Sequence, residues 1–179
     1  QGLLDGVLTW PGLAVDTDLR WFLLQRLIAH GRLSEDRIDA ELATDDTATG
    51  RRQAAVARAA QPTIQAKEQA WADIIERTDL PNALIEAAMA GFPQPNQREV
   101  LSAFRERYFA DLPGTWSERT MEMAQEITVG LYPFLLADDE TVRLTDAYLD
   151  GERQAAERRM VIEGRDGVQR AIRAQAADR

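Results

Sequence analysis

The feature that most constrains the fold is the regular division of the chain into helix-length blocks by proline, glycine and capping residues. After residue 16, no run of alternating apolar and polar residues, the pattern of a half-buried strand, interrupts these blocks. Apolar residues recur instead at three- and four-residue spacing, which is typical of helices that bury one face. The sequence therefore predicts an all-α protein.

The composition limits what such a protein could bind. A chain of 179 residues is enough for one domain, and no apolar run approaches the ~20 residues that a membrane-spanning helix needs. The net charge of -9 disfavours nucleic acid, whose binding depends on Lys and Arg that neutralise phosphates. Because the chain has no cysteine, disulfides and thiolate chemistry are excluded, which is compatible with a cytoplasmic protein. The first residue is Gln1 and no basic leader follows, so we interpret the sequence as part of a longer protein.

The first two helices follow from their boundary residues. Residues 17–30 carry an apolar arc wide enough to be buried on more than one side, and Gly31 is placed to end this helix. Ser34 can then cap a second helix over residues 35–42. The two helices are expected to form a short hairpin.

The third helix begins at a cluster of capping residues. Asp45, Asp46 or Thr47 can accept a hydrogen bond from the amides of the first turn, which is worth ~1 kcal/mol. Gly50 in that turn costs a comparable amount relative to alanine, so we expect the close approach of a neighbour or a ligand. The alanines that follow predict tight packing against an adjacent helix until Pro62 ends the third helix.

The same signals divide the rest of the chain. Asn96 and Glu99 form a possible reciprocal cap, Pro113-Gly114 is expected to end one helix, and Gly164 is expected to divide the tail into two. The predicted helices cover about residues 63–77, 81–91, 96–112, 117–131, 138–149 and, in two parts, 152–177.

The rhythm of these elements predicts an architecture. Nine or ten short antiparallel helices joined by brief turns are typical of an α-solenoid, a stack of helical hairpins. We expect residues 1–15 to form an extended lead-in, because glycine and proline interrupt any helix there. Residues 16–179 are then predicted to form a single helical-repeat domain.

Few residues could perform catalysis. The single histidine, His30, lies at the predicted end of the first helix, where an imidazolium suits the helix dipole, so a structural role is favoured over metal binding. A catalytic zinc ion needs about three protein ligands, and no zinc site is expected. The carboxylate pairs Asp45-Asp46 and Asp138-Asp139 could act as acid and base, but both lie at predicted helix starts, where capping is the simpler explanation.

Several segments resemble a known protein family. GLAVDTDLRW at residues 12–21, IDAEL at 38–42 and DDTATGRR at 45–52 are similar to the C-terminal helical domain of aminopeptidase N from the actinobacterial gluzincin zinc peptidases. Further agreement follows at residues 66–72, 80–83, 97–99 and 163–168. In this family a thermolysin-like domain holds zinc through His-Glu-x-x-His, and the helical C-terminal domain forms a bowl that encloses a cavity and admits peptides. The resemblance implies the later part of such a bowl, with HEAT-like helical repeats.

The resemblance also implies a function. The chain would be a non-catalytic domain of a zinc aminopeptidase, inactive by itself, whose partners are the catalytic and other domains of its own polypeptide and peptide substrates. Zinc would belong to the parent enzyme. We take Arg51 and Arg52 as the candidate substrate-positioning residues, because a guanidinium can hold a peptide carboxylate through two hydrogen bonds.

Two other hypotheses remain from the sequence. An independent α-helical scaffold could bind a protein or peptide partner in a groove, and a stand-alone hydrolase could use acidic residues. A His-Glu-x-x-His helix several hundred residues upstream in the same reading frame would favour the aminopeptidase. An uncovered apolar end of the helical stack also predicts some self-association of this piece.

Overall fold

The computed structural model describes residues 1–177, and within them it contains helices and turns but no β-strand. The all-α prediction is confirmed. Ten α-helices and one 3-10 turn (Pro95–Gln97) are present in this part of the chain. The helices are α1 (Thr17–Ala29), α2 (Glu35–Thr44), α3 (Ala48–Ala59), α4 (Ile64–Ile75), α5 (Asn82–Gly91), α6 (Arg98–Ser102), α7 (Arg105–Glu118), α8 (Met121–Gly130), α9 (Asp139–Leu149) and α10 (Ala155–Ala177). None of these described helices has the length and apolar character needed to cross a bilayer.

The chain folds into two compact units. Unit 1 comprises residues 1–74 and 79–96, and unit 2 comprises residues 75–78 and the chain from residue 97 onward. Helices α1 to α5 lie in unit 1, apart from the last residue of α4, and helices α6 to α10 lie in unit 2. The lead-in over residues 1–15 and the single helical-repeat domain over residues 16–179 stay predictions.

Unit 1 is built around the wide apolar face of α1. Its buried core residues are Leu4, Trp21, Leu24, Ile28, Ile38, Ala54 and Ala57. The small side chains of Ala54 and Ala57 let α3 pack closely on its neighbours. On another face of α3, a Cβ atom at Gly91 of α5 would overlap the backbone of Val56. The prediction that the alanine-rich helix packs tightly is confirmed.

Capping residues mark several helix starts as the sequence predicts. Thr47 caps α3, and Asp138 caps α9 by accepting a hydrogen bond from Thr141 N at 2.9 Å. The start of α8 is different, because the sequence places it at Ser117 whereas the helix begins after Thr120.

The expected reciprocal cap of Asn96 and Glu99 does not form. Asn96 Nδ2 instead donates to the carbonyl oxygen of Ala29 at 2.9 Å. Residues 95–97 form the 3-10 turn, and no side chain caps the short helix α6. The helix predicted over residues 96–112 is therefore divided between α6 and α7.

Helix α7 continues through Pro113-Gly114, so the predicted helix end at this pair is wrong. Proline cannot donate a hydrogen bond to the preceding turn, which weakens a helix. Here Leu112 and Trp116 are buried on one face, and Trp116 Nε1 donates to Thr128 Oγ1 of α8 at 2.9 Å. This packing outweighs the lost backbone hydrogen bond.

Helix α10 is continuous, so the break expected near Gly164 is also wrong. A Cβ atom at Gly164 would lie 2.8 Å from ring carbons of Tyr132, whose hydroxyl is 2.8 Å from Thr145 Oγ1. Gly167 faces the Phe134 ring in the same way. Both glycines allow α10 to approach aromatic rings closely, and this contact explains them without a helix end.

Candidate functional site

An open groove of about 830 Å³ lies in unit 1 among α2, α3, α4 and α5, and we call it the α2–α5 groove. Its apolar residues are Leu42, Ala55, Ala59, Ala66, Ala70, Leu80, Leu84 and Ala88. Its polar residues are Glu35, Arg51, Arg58, Gln61, Thr63, Gln65, Gln69 and Asp73. Short apolar side chains leave room for a ligand, and the amide and charged groups can hold polar atoms of an extended peptide.

Arg51 reaches the groove from a tightly fixed helix start. Thr47 Oγ1 accepts a hydrogen bond from Gly50 N at 3.0 Å, and a Cβ atom at Gly50 would overlap the backbone oxygen of Asp45. The predicted close approach at Gly50 is confirmed, and Asp45 is the neighbour involved. The Asp45 carboxylate also accepts from Trp21 Nε1 at 2.9 Å, which links the start of α3 to the core of unit 1.

The two candidate arginines are placed differently. Arg51 lines the groove, and its Nη2 lies 2.7 Å from Asp46 Oδ1, with side chains that are 58% and 68% exposed. So exposed an ion pair contributes little stability, which leaves Arg51 free to exchange partners. Arg52 does not line the groove, and its Nη2 donates to Thr49 Oγ1 at 3.1 Å. Neighbouring helix residues point about 100° apart, which explains the difference.

Arg58 is a second groove arginine, and reasoning from the sequence missed it. It follows Arg51 by seven residues, or about two helical turns, so both lie on one face of α3. Arg58 Nη2 is 2.6 Å from Asp39 Oδ1, and its Nε is 3.8 Å from Glu35 Oε1. The seven-residue spacing was the signal that could have found it.

Comparison with known proteins decides the family. The sequence profile of the ERAP1-like C-terminal domain matches residues 1–170. The chain belongs to this family. The chain is also 54% identical over 179 residues to Aminopeptidase N from Streptomyces lividans. That alignment covers 99% of this chain and 21% of the relative, so the chain spans about a fifth of the relative's length. The family resemblance stated from the sequence is confirmed.

The described part of this ERAP1-like domain does not fit a catalytic zinc ion. Among residues 1–177, no three His, Asp or Glu side chains are grouped so that they could hold a metal. His30 is the exposed residue that follows α1, and its Nδ1 lies 3.4 Å from Asn96 Nδ2. Asp138, in one of the two carboxylate pairs, caps α9 and binds Arg105 at 2.8 Å. The capping interpretation of Asp138 is confirmed.

Lys67 is the most unusual group in unit 1 of this ERAP1-like domain, and reasoning from the sequence missed it. It is the single lysine of the chain and is 0% exposed. Its Nζ donates to the carbonyl oxygens of Ala59 at 2.6 Å and Phe92 at 2.7 Å, where α3 and α5 end. Burial lowers the pKa of Lys67 to about 7, while the two carbonyl groups favour its charged form. The signal in the sequence was its position three and four residues before Ala70 and Trp71, which are buried on the same face of α4.

Proposed function

We propose that this chain is the non-catalytic C-terminal domain of a zinc aminopeptidase, and that the parent enzyme removes N-terminal residues from peptides. The observation that carries the proposal is the family match together with 54% identity to an aminopeptidase N along 99% of the chain. Catalysis and zinc would come from the remaining polypeptide, since the described residues offer no group that could hold a metal. The chain alone should therefore be inactive.

The role proposed for the domain is to enclose the active-site cavity and to help admit and position peptides. Confinement beside a catalytic centre lowers the entropic cost of bringing a substrate into the reactive geometry. The proposal includes a finer fold, a HEAT-like α-solenoid that forms the later part of a larger C-terminal domain. Its support within each unit is that helices close in sequence pack together, α1 on α2 and α2 on α3 in unit 1, and α7 on α8 and α9 on α10 in unit 2.

The substrate contact proposed for Arg51 and Arg52 is a peptide carboxylate. A guanidinium can donate two parallel hydrogen bonds to a carboxylate, which gives both affinity and orientation. Arg51 is the stronger candidate because it lines the α2–α5 groove and its present partner, Asp46, is exposed. Arg52 lies beside it on α3 and would assist at the groove edge.

The test is the Arg51→Ala variant of the parent enzyme. We expect the KM for longer peptides to rise by roughly tenfold, equivalent to about 1.4 kcal/mol, while the KM for a short chromogenic substrate changes little. The effect of Arg52→Ala should be smaller. Arg143→Ala is the matched control, because Arg143 is a similarly exposed helix residue that pairs with Glu140 at 2.6 Å. An equal rise in KM for both substrates would count against the assignment.

Other parts of the interpretation stay predictions. They are the cytoplasmic location, the absence of nucleic acid and membrane partners, and the contact with the other domains of the same polypeptide. The independent scaffold hypothesis is less favoured, because the family match covers residues 1–170.

A further inference from the structure

The lead-in of unit 1 presents four apolar side chains to solvent. Val7 is 80% exposed, Leu8 60%, Trp10 71% and Leu13 43%, and we call these four residues the lead-in patch. Four large exposed apolar side chains within seven residues of sequence are typical of an interaction site. The patch differs in this respect from the isolated exposed apolar residues that every protein carries.

A defined turn presents half of this patch. Leu13 N donates to Trp10 O at 3.0 Å, and Gly12 between them has a φ of 79°. Pro11 followed by glycine with positive φ is the combination that a type II turn requires. Trp10 and Leu13 are therefore held at the two ends of a preformed turn.

The base of the lead-in is fixed to unit 1. Leu4 is buried in the core, and its carbonyl oxygen accepts a hydrogen bond from Arg20 Nη1 at 3.1 Å. Asp5 Oδ1 lies 2.6 Å from Arg37 Nη2 of α2. The patch thus stands on an anchored segment, so little conformational entropy would be lost when a partner covers it.

The first residues of the chain run beside the patch. Leu8 N donates to Gly2 O at 2.9 Å, and a Cβ atom at Gly2 would lie 2.7 Å from Leu8 Cδ1. Asp5 N donates to Gln1 O at 3.1 Å, which fixes the direction of Gln1. Residues joined ahead of Gln1 in a longer polypeptide would therefore leave from the edge of the lead-in patch.

We propose that the lead-in patch docks onto the segment that immediately precedes it in the parent polypeptide. This inference rests on the proposed function, in which the chain is the C-terminal part of a protein such as the relative, of which it covers 21%. A covalently joined segment acts at an effective concentration of the order of millimolar, well above that of a separate partner. A joined segment that begins beside Leu8 is thus the occupant that the geometry favours.

The charge of the region argues against a lipid surface as the occupant. Residues 1–19 contain no Lys or Arg, while Asp5, Asp16 and Asp18 are acidic. Peripheral binding to anionic lipid combines apolar insertion with attraction to Lys and Arg, and the second contribution is missing here.

Hydrogen exchange in the parent polypeptide and in the 179-residue chain tests the docking. We expect the amides of residues 5–16 to exchange at least roughly tenfold more slowly in the parent. Equal exchange in the two proteins would overturn the proposal. The short chain is measured dilute enough to be monomeric. Slow exchange in the parent that disappears when the parent is diluted would overturn the proposal as well, because a second copy would then be the occupant.

A pair of variants gives an independent readout. Trp10→Ser should lower the Tm of the parent by roughly 3 °C and leave the Tm of the 179-residue chain, measured dilute enough to be monomeric, unchanged, because Trp10 is exposed in that chain. Val129→Ser, at an exposed apolar residue of α8, is the matched control and should leave both values unchanged. Equal Tm shifts in the parent and the short chain for Trp10→Ser would contradict docking.

The docking proposal and the proposed function can fail independently of each other. If the parent has no aminopeptidase activity but protects residues 5–16, the function fails and the docking stands. If the parent is active and these amides exchange freely, the docking fails alone.

Discussion

At the scale of single residues, Lys67 shows why one cation can be buried without a carboxylate. Its Nζ meets two carbonyl oxygens at the ends of α3 and α5 and lies 5.3 Å from the centroid of the Phe92 ring. Both helix ends carry partial negative charge, and the ring face adds a further favourable interaction. The other 20 of the chain's 21 Lys and Arg residues are arginines. The wide, planar guanidinium group of arginine cannot replace a compact amine between two converging carbonyl groups.

Lys67 should make the stability of the protein depend on pH. Its pKa is about 7 in the folded state, whereas an ordinary lysine has a pKa of 10.5, so between these values the unfolded chain holds a proton that the folded chain has released. Stability therefore rises with pH over this interval, by no more than about 1.4 kcal/mol per pH unit. Urea unfolding between pH 7 and 9.5 would measure this slope.

The Lys67→Met variant provides the comparison. It should be less stable than the Lys67 protein at pH 9.5, because the carbonyl oxygens of Ala59 and Phe92 lose their donor, and this deficit should shrink toward pH 7. Its stability should also lose the rise between pH 7 and 9.5. If the two proteins have parallel pH profiles, the titration of Lys67 is not the cause.

At the scale of helices, two glycines of unit 2 should respond to alanine in opposite ways. Gly164→Ala should destabilise the protein by about 1–3 kcal/mol, because the new methyl group would meet the buried ring of Tyr132. Gly114→Ala in α7 should stabilise it by about 0.5–1 kcal/mol, because no heavy atom lies within 4 Å of the added Cβ. Thermal unfolding of both variants measures the contrast. Stabilisation by both variants would show that helix propensity, rather than the aromatic contact, controls these sites.

These glycines also show what a sequence can predict about helices. Caps act through a side chain and amides a few residues away, so Thr47 and Asp138 could be assigned from local sequence. Pro113 and Gly164 are residues that normally weaken a helix. Here their local cost in helix stability is outweighed by packing on residues distant in the sequence, which the local sequence does not reveal. The tertiary contacts of Trp116 and Tyr132 therefore decide the course of α7 and α10.

In the candidate site, too, some features depend on local sequence and others on tertiary packing. The start of α3 and the presence of Arg51 near it could be predicted, because both depend on adjacent residues. Which side of α3 lines the α2–α5 groove depends on how α2, α4 and α5 pack, so the sequence could not show that Arg51 lines the groove and Arg52 does not. Once Arg51 is placed there, the seven-residue spacing puts Arg58 on the same face of α3. The amine of Lys67 is bound by residues 8 and 25 positions away, beyond the reach of a local pattern.

At the scale of the whole molecule, the sequence predicts some self-association of the separate 179-residue chain, and the exposed lead-in patch is a surface that could drive it. Static light scattering over a concentration series should show a weight-average mass that increases with concentration. Trp10→Ser should reduce the increase, while Val129→Ser should not. A constant monomer mass across the series would refute this prediction.

The burial of the single lysine limits where and when a lysine-specific protease can cut the chain. A lysine-specific endoprotease has one cleavage site in 179 residues, and that site lies inside unit 1 between the ends of two helices. Cutting there requires the unit to open, so the cleavage rate would report transient opening of unit 1 without any engineered probe.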